Sequence, residues 1–195
     1  MRAWMASGSC AIRATLTRTA PTGFRAARDT ITAMPGPSVP MPVPAGRQAT
    51  GTTGAAFQAV ARLSELPPGT TTRVTRGELD VLIANTPSGL LATDDRCPHM
   101  SAPLSQGALD GCVVDCPLHG GRFDLATGST VRFPNTGGLD AEGAYHPPWR
   151  APDSPPKAEP NDAKAMARAA TRVRRLRYYP LRIRAGWIEI ALPRP

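Results

Sequence analysis

From Phe57 onward the chain sets apolar and β-branched residues in short runs broken by turn residues. Residues 57–63, 72–75, 79–85 and 90–93 each alternate or cluster such residues, which is the pattern of strands. Turn signals divide them: Pro67, Pro68 and Gly69, then Arg76 and Gly77, then Pro87, Ser88 and Gly89. Asp110 followed by Gly111 predicts a tight hairpin across residues 107–115. A last hairpin is expected over residues 178–184 and 187–192, turned at Ala185 and Gly186. Between these blocks, residues 135–174 lose the period of two. There Met166, Ala169 or Ala170, Val173 and Leu176 recur at helical spacing, with Asn161 as cap and Asp162 at the start. Arg172, Arg174 and Arg175 near the far end complement the helix dipole, so a helix packed on its own domain is expected.

This pattern predicts an all-β, antiparallel fold with a loop and helix insertion at about 135–174. A length of 195 residues leaves room for one ordinary domain, and 22 Pro with 18 Gly imply many turns. Residues 1–56 lack the strand pattern. They are rich in Arg, Ala, Thr, Gly and Pro, hold Asp29 as their one acid, and are expected to form a disordered tail or a targeting segment. The folded domain is therefore placed at 57–195. No apolar run has the length of a transmembrane helix, so no membrane span is expected.

The net charge of +8 lies in the flanks. Residues 1–56 carry six Arg and one acid, residues 57–134 six Arg and eight acids, and residues 135–195 eleven bases and six acids. The central domain is thus slightly acidic, which suggests a basic face on its partner. With three Tyr and four Phe there is no aromatic interleaving of the basic positions, so nucleic acid is not an expected partner.

The chemistry is concentrated in one stretch. Cys97-Pro98-His99 and Cys116-Pro117-Leu118-His119 are separated by sixteen residues. Thiolates bind iron–sulfur clusters or zinc, and imidazole suits zinc, copper or iron. A tetrahedral zinc site is one reading, although zinc modules usually pair cysteine with cysteine and histidine with histidine. Here each loop supplies one sulfur and one nitrogen, which fits a dinuclear cluster with cysteines on one iron and histidines on the other. The other cysteines offer no evident disulfide framework, which suits a reducing compartment. Cys112 lies in an apolar strand and reads as a small buried residue, and Cys10 lies in the tail.

Cys97-Pro-His-Met-Ser-Ala-Pro-Leu-Ser-Gln-Gly107, with Cys116-Pro-Leu-His-Gly-Gly-Arg-Phe-Asp-Leu-Ala-Thr-Gly128, resembles the Rieske-type ferredoxin family. The likeness is strong over residues 57–134 and weaker over 179–190. It implies a Rieske β-sandwich, with a cluster-binding subdomain at about 95–128. The implied cofactor is one [2Fe–2S] cluster per chain, held by Cys97, His99, Cys116 and His119, and no catalytic residue is implied. It also implies that the outward tips of His99 and His119 are the electron exit. Quinol-oxidising relatives add a disulfide between the two loops and two hydroxyl donors after the second histidine. Here Ser101 and Leu118, and Gly121 and Phe123, stand at those positions. Without those donors the reduced cluster is stabilised less, so a potential in the lower half of the range of about −150 to +300 mV is expected.

The expected function is one-electron transfer from a reductase to an oxygenase-type acceptor, as a component of an oxidoreductase system and not a complete enzyme. The alternative is a cluster-bearing small subunit or sensing module of a larger complex, similar to a nitrite reductase small subunit. A terminal oxygenase needs a second iron on two histidines and a carboxylate, and His146 is the single histidine outside the motif. No Gly-x-Gly-x-x-Gly pattern supports a built-in reductase. A cytoplasmic location is expected, or a mitochondrial or plastid one if residues 1–56 are a transit peptide.

Overall fold

The computed structural model describes residues 38–153 and 163–193. The tail up to residue 37, with Cys10, and the expected cap at Asn161 and Asp162 lie outside the described residues. Four strands, β2 (Phe57–Arg62), β3 (Thr71–Arg76), β4 (Leu79–Thr86) and β5 (Gly89–Asp94), fall where the sequence pattern places them. Strands β3, β4 and β5 form an antiparallel meander. Strand β4 is buried almost throughout, because both faces of this small sheet are covered. Its side chains alternate between two cores, as the period of two requires. Val81 and Ile83 join Leu90 and Ala92 of β5 in the first core, facing Ile188 and Ile190. Leu82 and Ala84 join Leu91 in the second core, facing Leu104, Val114, Phe123 and Leu125.

The first core is closed by a four-stranded sheet. It holds β1 (Ser38–Met41), β12 (Leu181–Arg184), β13 (Trp187–Ala191) and β2, in that order. Among the described residues, strand pairing thus includes Ser38–Met41, inside the stretch that lacks the strand pattern. Val39 pairs with Ile183, and Ala49 further on is 4% exposed, its N–H donating to the Tyr178 carbonyl at 2.7 Å.

The second core carries the metal-motif subdomain, a sheet of β6 (Leu109–Asp110), β7 (Val113–Asp115), β8 (Arg122–Asp124) and β9 (Thr130–Arg132). The expected hairpin is present. Asp110 pairs with Val113, so the turn residues are Gly111 and Cys112, one step beyond the Asp-Gly pair. Gly111 takes a φ of 60°, a conformation that glycine adopts without steric cost.

The insertion differs from its sequence reading. After the short ribbon β10 (Gly138–Leu139) and β11 (Tyr145–His146), helix α1 covers Ala163–Ala170 and stops. The Thr171 carbonyl accepts the Leu139 N–H at 2.8 Å, and Val173 donates to the Leu139 carbonyl at 2.7 Å. These bonds draw the chain out of the helix and along β10. Val173 and Leu176 are buried from an extended segment, whereas Met166 on α1 is 73% exposed. Their spacing of three thus reflects an irregular strand-like run, not one helical stripe. Among the described residues no helix is long and apolar enough to cross a membrane.

Candidate metal centre

The two motif loops are built alike. In the first, the Cys97 N–H donates to the Ala102 carbonyl at 2.7 Å and the Cys97 carbonyl accepts from the Ser101 N–H at 2.9 Å. In the second, the Cys116 N–H donates to Gly121 at 2.8 Å and its carbonyl accepts from Gly120 at 3.0 Å. Each loop turns through a residue of positive φ four positions after its cysteine, Ser101 at 58° and Gly120 at 61°. The loops leave the same open end of the β6–β7 hairpin, and this brings distant residues together.

Backbone and carboxylate bonds hold each loop in place. Buried Asp95 precedes the first loop and accepts from the Ser105 N–H at 2.6 Å and hydroxyl at 2.7 Å. Burial raises its carboxyl above the ordinary range, although Ser105 and Arg73 pull the other way. Beside the second loop, Arg122 Nε donates to Asp115 at 2.6 Å, tying β7 to β8. Phe123, 1% exposed, fills the space behind Gly121, where an added Cβ would meet its ring at 3.1 Å.

All four motif side chains come together. Cys97 and Cys116 are free, buried thiols of one core cluster, and the rings of His99 and His119 lie 5.0 Å apart, nearly perpendicular. Burial pushes the Cys97 thiol up to about 12; Cys116 beside it acts the same way, and the N–H groups of His99 and Met100 oppose it. Burial also lowers the pKa of His99, with His119 adding to the effect. Alone, then, these surroundings favour the neutral Cys97 thiol and the neutral His99 imidazole.

The pocket is nonetheless unsatisfied in a way that suits a cationic group. His99 Nδ1 and His119 Nδ1 are both buried and have no hydrogen-bond partner. A buried polar atom left so costs about 1–3 kcal/mol. A metal that accepts both nitrogen lone pairs removes that cost, and its positive charge stabilises the two thiolates. Among the described residues no three His, Cys, Asp or Glu side chains gather round a single ion position. Paired cysteines and paired histidines are the donor set of a two-iron cluster with sulfur on one iron and nitrogen on the other.

Several neighbours of the centre were not evident in the sequence. Thr136 Oγ1 lies 3.2 Å from His99 Nε2, and the Asn135 N–H donates to the His119 carbonyl at 2.8 Å. The Arg174 N–H donates to the Pro98 carbonyl at 3.0 Å. All three belong to the insertion; the turn-forming run Pro134 to Gly138 is the sequence signal for Asn135 and Thr136, whereas Arg174 reads in the sequence as a helix-end charge. His146 stays apart from the motif: it stacks on Phe133 at 3.9 Å and pairs with Asp140 at 3.0 Å. Cys112 is 1% exposed as expected, but it is disulfide-bonded, which corrects the reading of the chain as lacking disulfides.

Residues 56–142 match the family described as the Rieske [2Fe-2S] domain. Ferredoxin CarAc of Metapseudomonas resinovorans is 41% identical over 78 residues, which cover 40% of this chain and 73% of that protein. The ferredoxin component of the naphthalene 1,2-dioxygenase system of Pseudomonas aeruginosa is 38% identical, over 38% of this chain and 71% of that one. Among solved structures, the ferredoxin of carbazole 1,9a-dioxygenase from Nocardioides aromaticivorans IC177 aligns with a TM-score of 0.48 at 22% identity, over 72% of this chain and 100% of that chain.

Proposed function

The chain belongs to the Rieske [2Fe–2S] family, and from that premise we propose that it carries single electrons from a reductase to an oxygenase-type acceptor. In this reading Cys97 and Cys116 would hold one iron through sulfur, and His99 and His119 would hold the other through Nδ1. The observation that carries it is the pair of buried, unpartnered Nδ1 atoms on neighbouring histidine rings, in the same two loops that carry two free, buried thiols. When bound, the cluster supplies a one-electron site. Its potential is raised above that of all-cysteine centres because neutral imidazoles replace two thiolates.

The protein residues orient and shield. The paired loops set the cysteine sulfurs in the apolar second core, away from water. Thr136 and the backbone of Asn135 steady the two histidine segments. His99 is only 6% exposed, whereas His119 is half-buried, so the His119 edge is the more open route for an electron. Relatives named as ferredoxin components of dioxygenase systems favour a mobile carrier over a fixed subunit.

An electron-counting experiment tests this. Anaerobic titration of the purified protein with dithionite should take up one electron per chain, and the reduced protein should pass it to an added one-electron acceptor. Uptake of no electrons, or a protein that holds zinc in place of iron, would reject the proposal.

A further inference from the structure

A cleft of about 330 Å³ opens beside the first motif loop. Its walls are Pro98 and Ser101 of that loop together with Arg96, Arg174, Arg175 and Arg177, with Leu176 and the carboxylate of Asp94 among them. The arginines arrive there because the extended run after α1 buries Val173 and Leu176 and turns the residues between them outward. The backbone bond from Arg174 to Pro98 fixes this run against the loop, and Arg174 Nη2 also donates to Ser101 Oγ at 3.3 Å.

The charge there is only partly neutralised. Arg177 pairs with Asp94 at 2.6 Å, Arg175 pairs with Glu142, and Arg96 lies 3.9 Å from Asp80. Among the described residues no carboxylate is paired with Arg174. The slightly acidic composition of residues 57–134 does not extend to this cleft. Folding lays the run from Arg174 to Arg177, at the end of the insertion, beside the motif loop, where Arg174 adds an unpaired positive charge.

We propose that this arginine cleft is a docking site for a carboxylate-rich face of the redox partner protein. The inference rests on the electron-carrier reading above and specifies the chemistry of the partner. A positive patch beside the first motif loop steers an acidic surface towards the centre and speeds encounter, most of all at low salt. The exposed Met100 and Leu118, 58% and 56% accessible on the two motif loops, supply an apolar contact once the charges have met.

The test follows electrons leaving the full-length, dithionite-reduced protein in a stopped-flow instrument. One oxidant is the anion hexacyanoferrate(III), which takes one electron and becomes hexacyanoferrate(II). The other is the cation tris(phenanthroline)cobalt(III), reduced by one electron to its cobalt(II) form. A decamer of glutamate serves as a mimic of the acidic face, and inorganic phosphate at equal total charge serves as the small-anion control. The expected result is an anion rate constant that falls with added salt and is inhibited by the decamer much more than by phosphate. Arg174→Glu should lower the anion rate by about threefold or more and raise the cation rate. Arg174→Gln should give a smaller change of the same sign, and it guards against a Glu variant that folds poorly. Arg62→Glu makes the same change in net charge on the far sheet, where Arg62 stacks on Trp187, and should leave both rates nearly unchanged. Equal salt dependence for both oxidants, or an Arg62→Glu effect as large as that of Arg174→Glu, overturns the docking site and leaves the carrier intact. Equal inhibition by phosphate also overturns it, since the cleft would then be a small-anion site. Failure of either oxidant to remove an electron rejects the carrier reading itself.

Discussion

Thr136 Oγ1 sits 3.2 Å from His99 Nε2, which places a hydroxyl from the insertion over one motif histidine. If Nδ1 of His99 faces iron, Nε2 carries the proton and donates it to Thr136. That bond makes the imidazole a stronger donor and favours the oxidised state. Thr136→Val removes the acceptor at nearly constant volume. The potential should rise by about 10–40 mV, a fraction of one net hydrogen bond. Protein-film voltammetry of the two proteins measures it, with the native value expected in the lower half of the Rieske range of about −150 to +300 mV. An unchanged potential would remove Thr136 from the set of groups that tune the centre.

Ser101 holds a φ of 58°, where its second-loop counterpart, Gly120, has no side chain. A non-glycine residue in this region costs about 1–2 kcal/mol. Ser101→Gly should therefore raise the midpoint of thermal unfolding by about 1–4 °C, even though the long bond to Arg174 is lost. A lower midpoint would show that this serine is worth more than its strain.

Gly107 offers the opposite case. A Cβ at this position would lie 1.7 Å from the Asp115 carbonyl oxygen, immediately before Cys116. Gly107→Ala must push the second loop away from the first. It should cost about 3 kcal/mol or more and reduce the iron and sulfide recovered per chain. A variant with native stability and full iron content would contradict the packing described for the two loops.

Acid stability has a predictable sign at Asp80. Donation from Arg73, helped by Thr75, holds this carboxyl below the usual carboxylate range. Its contribution is complete above an ordinary pKa near 4 and fades as pH falls through the lower folded value. Asp95 alongside is raised by burial and acts in the reverse sense, recovering stability on acidification. Thermal unfolding of Asp80→Asn between about pH 4 and 2 should lose stability less steeply than the native protein. Parallel curves would mean the pair with Arg73 adds nothing.

The strands of the central meander were legible because burial imposes a period of two, and because the continuous apolar run of β4 is what a doubly covered strand requires. The four motif residues were legible for a chemical reason: sulfur and nitrogen donors at such tight spacing have few other uses. Less visible was everything that depends on the chain returning from far away. Thr136 and Arg174 look like ordinary loop and surface residues until folding sets them beside His99 and Pro98. Val173 and Leu176 mimic a helical stripe, since extended chain held by Leu139 can bury residues three apart just as a helix does. Strand β1 is hidden because Ser38 to Met41 alternates nothing, and its pairing partner lies at the other end of the chain.

The central claim is that two cysteines and two histidines of this chain hold one two-iron cluster. Electron–nuclear double resonance on the dithionite-reduced protein tests it most directly. The account predicts one rhombic spin per chain, coupled to two histidine nitrogens, and loss of that spectrum in both His99→Ala and His119→Ala. A two-iron signal without nitrogen coupling, or one that survives either substitution, would contradict it.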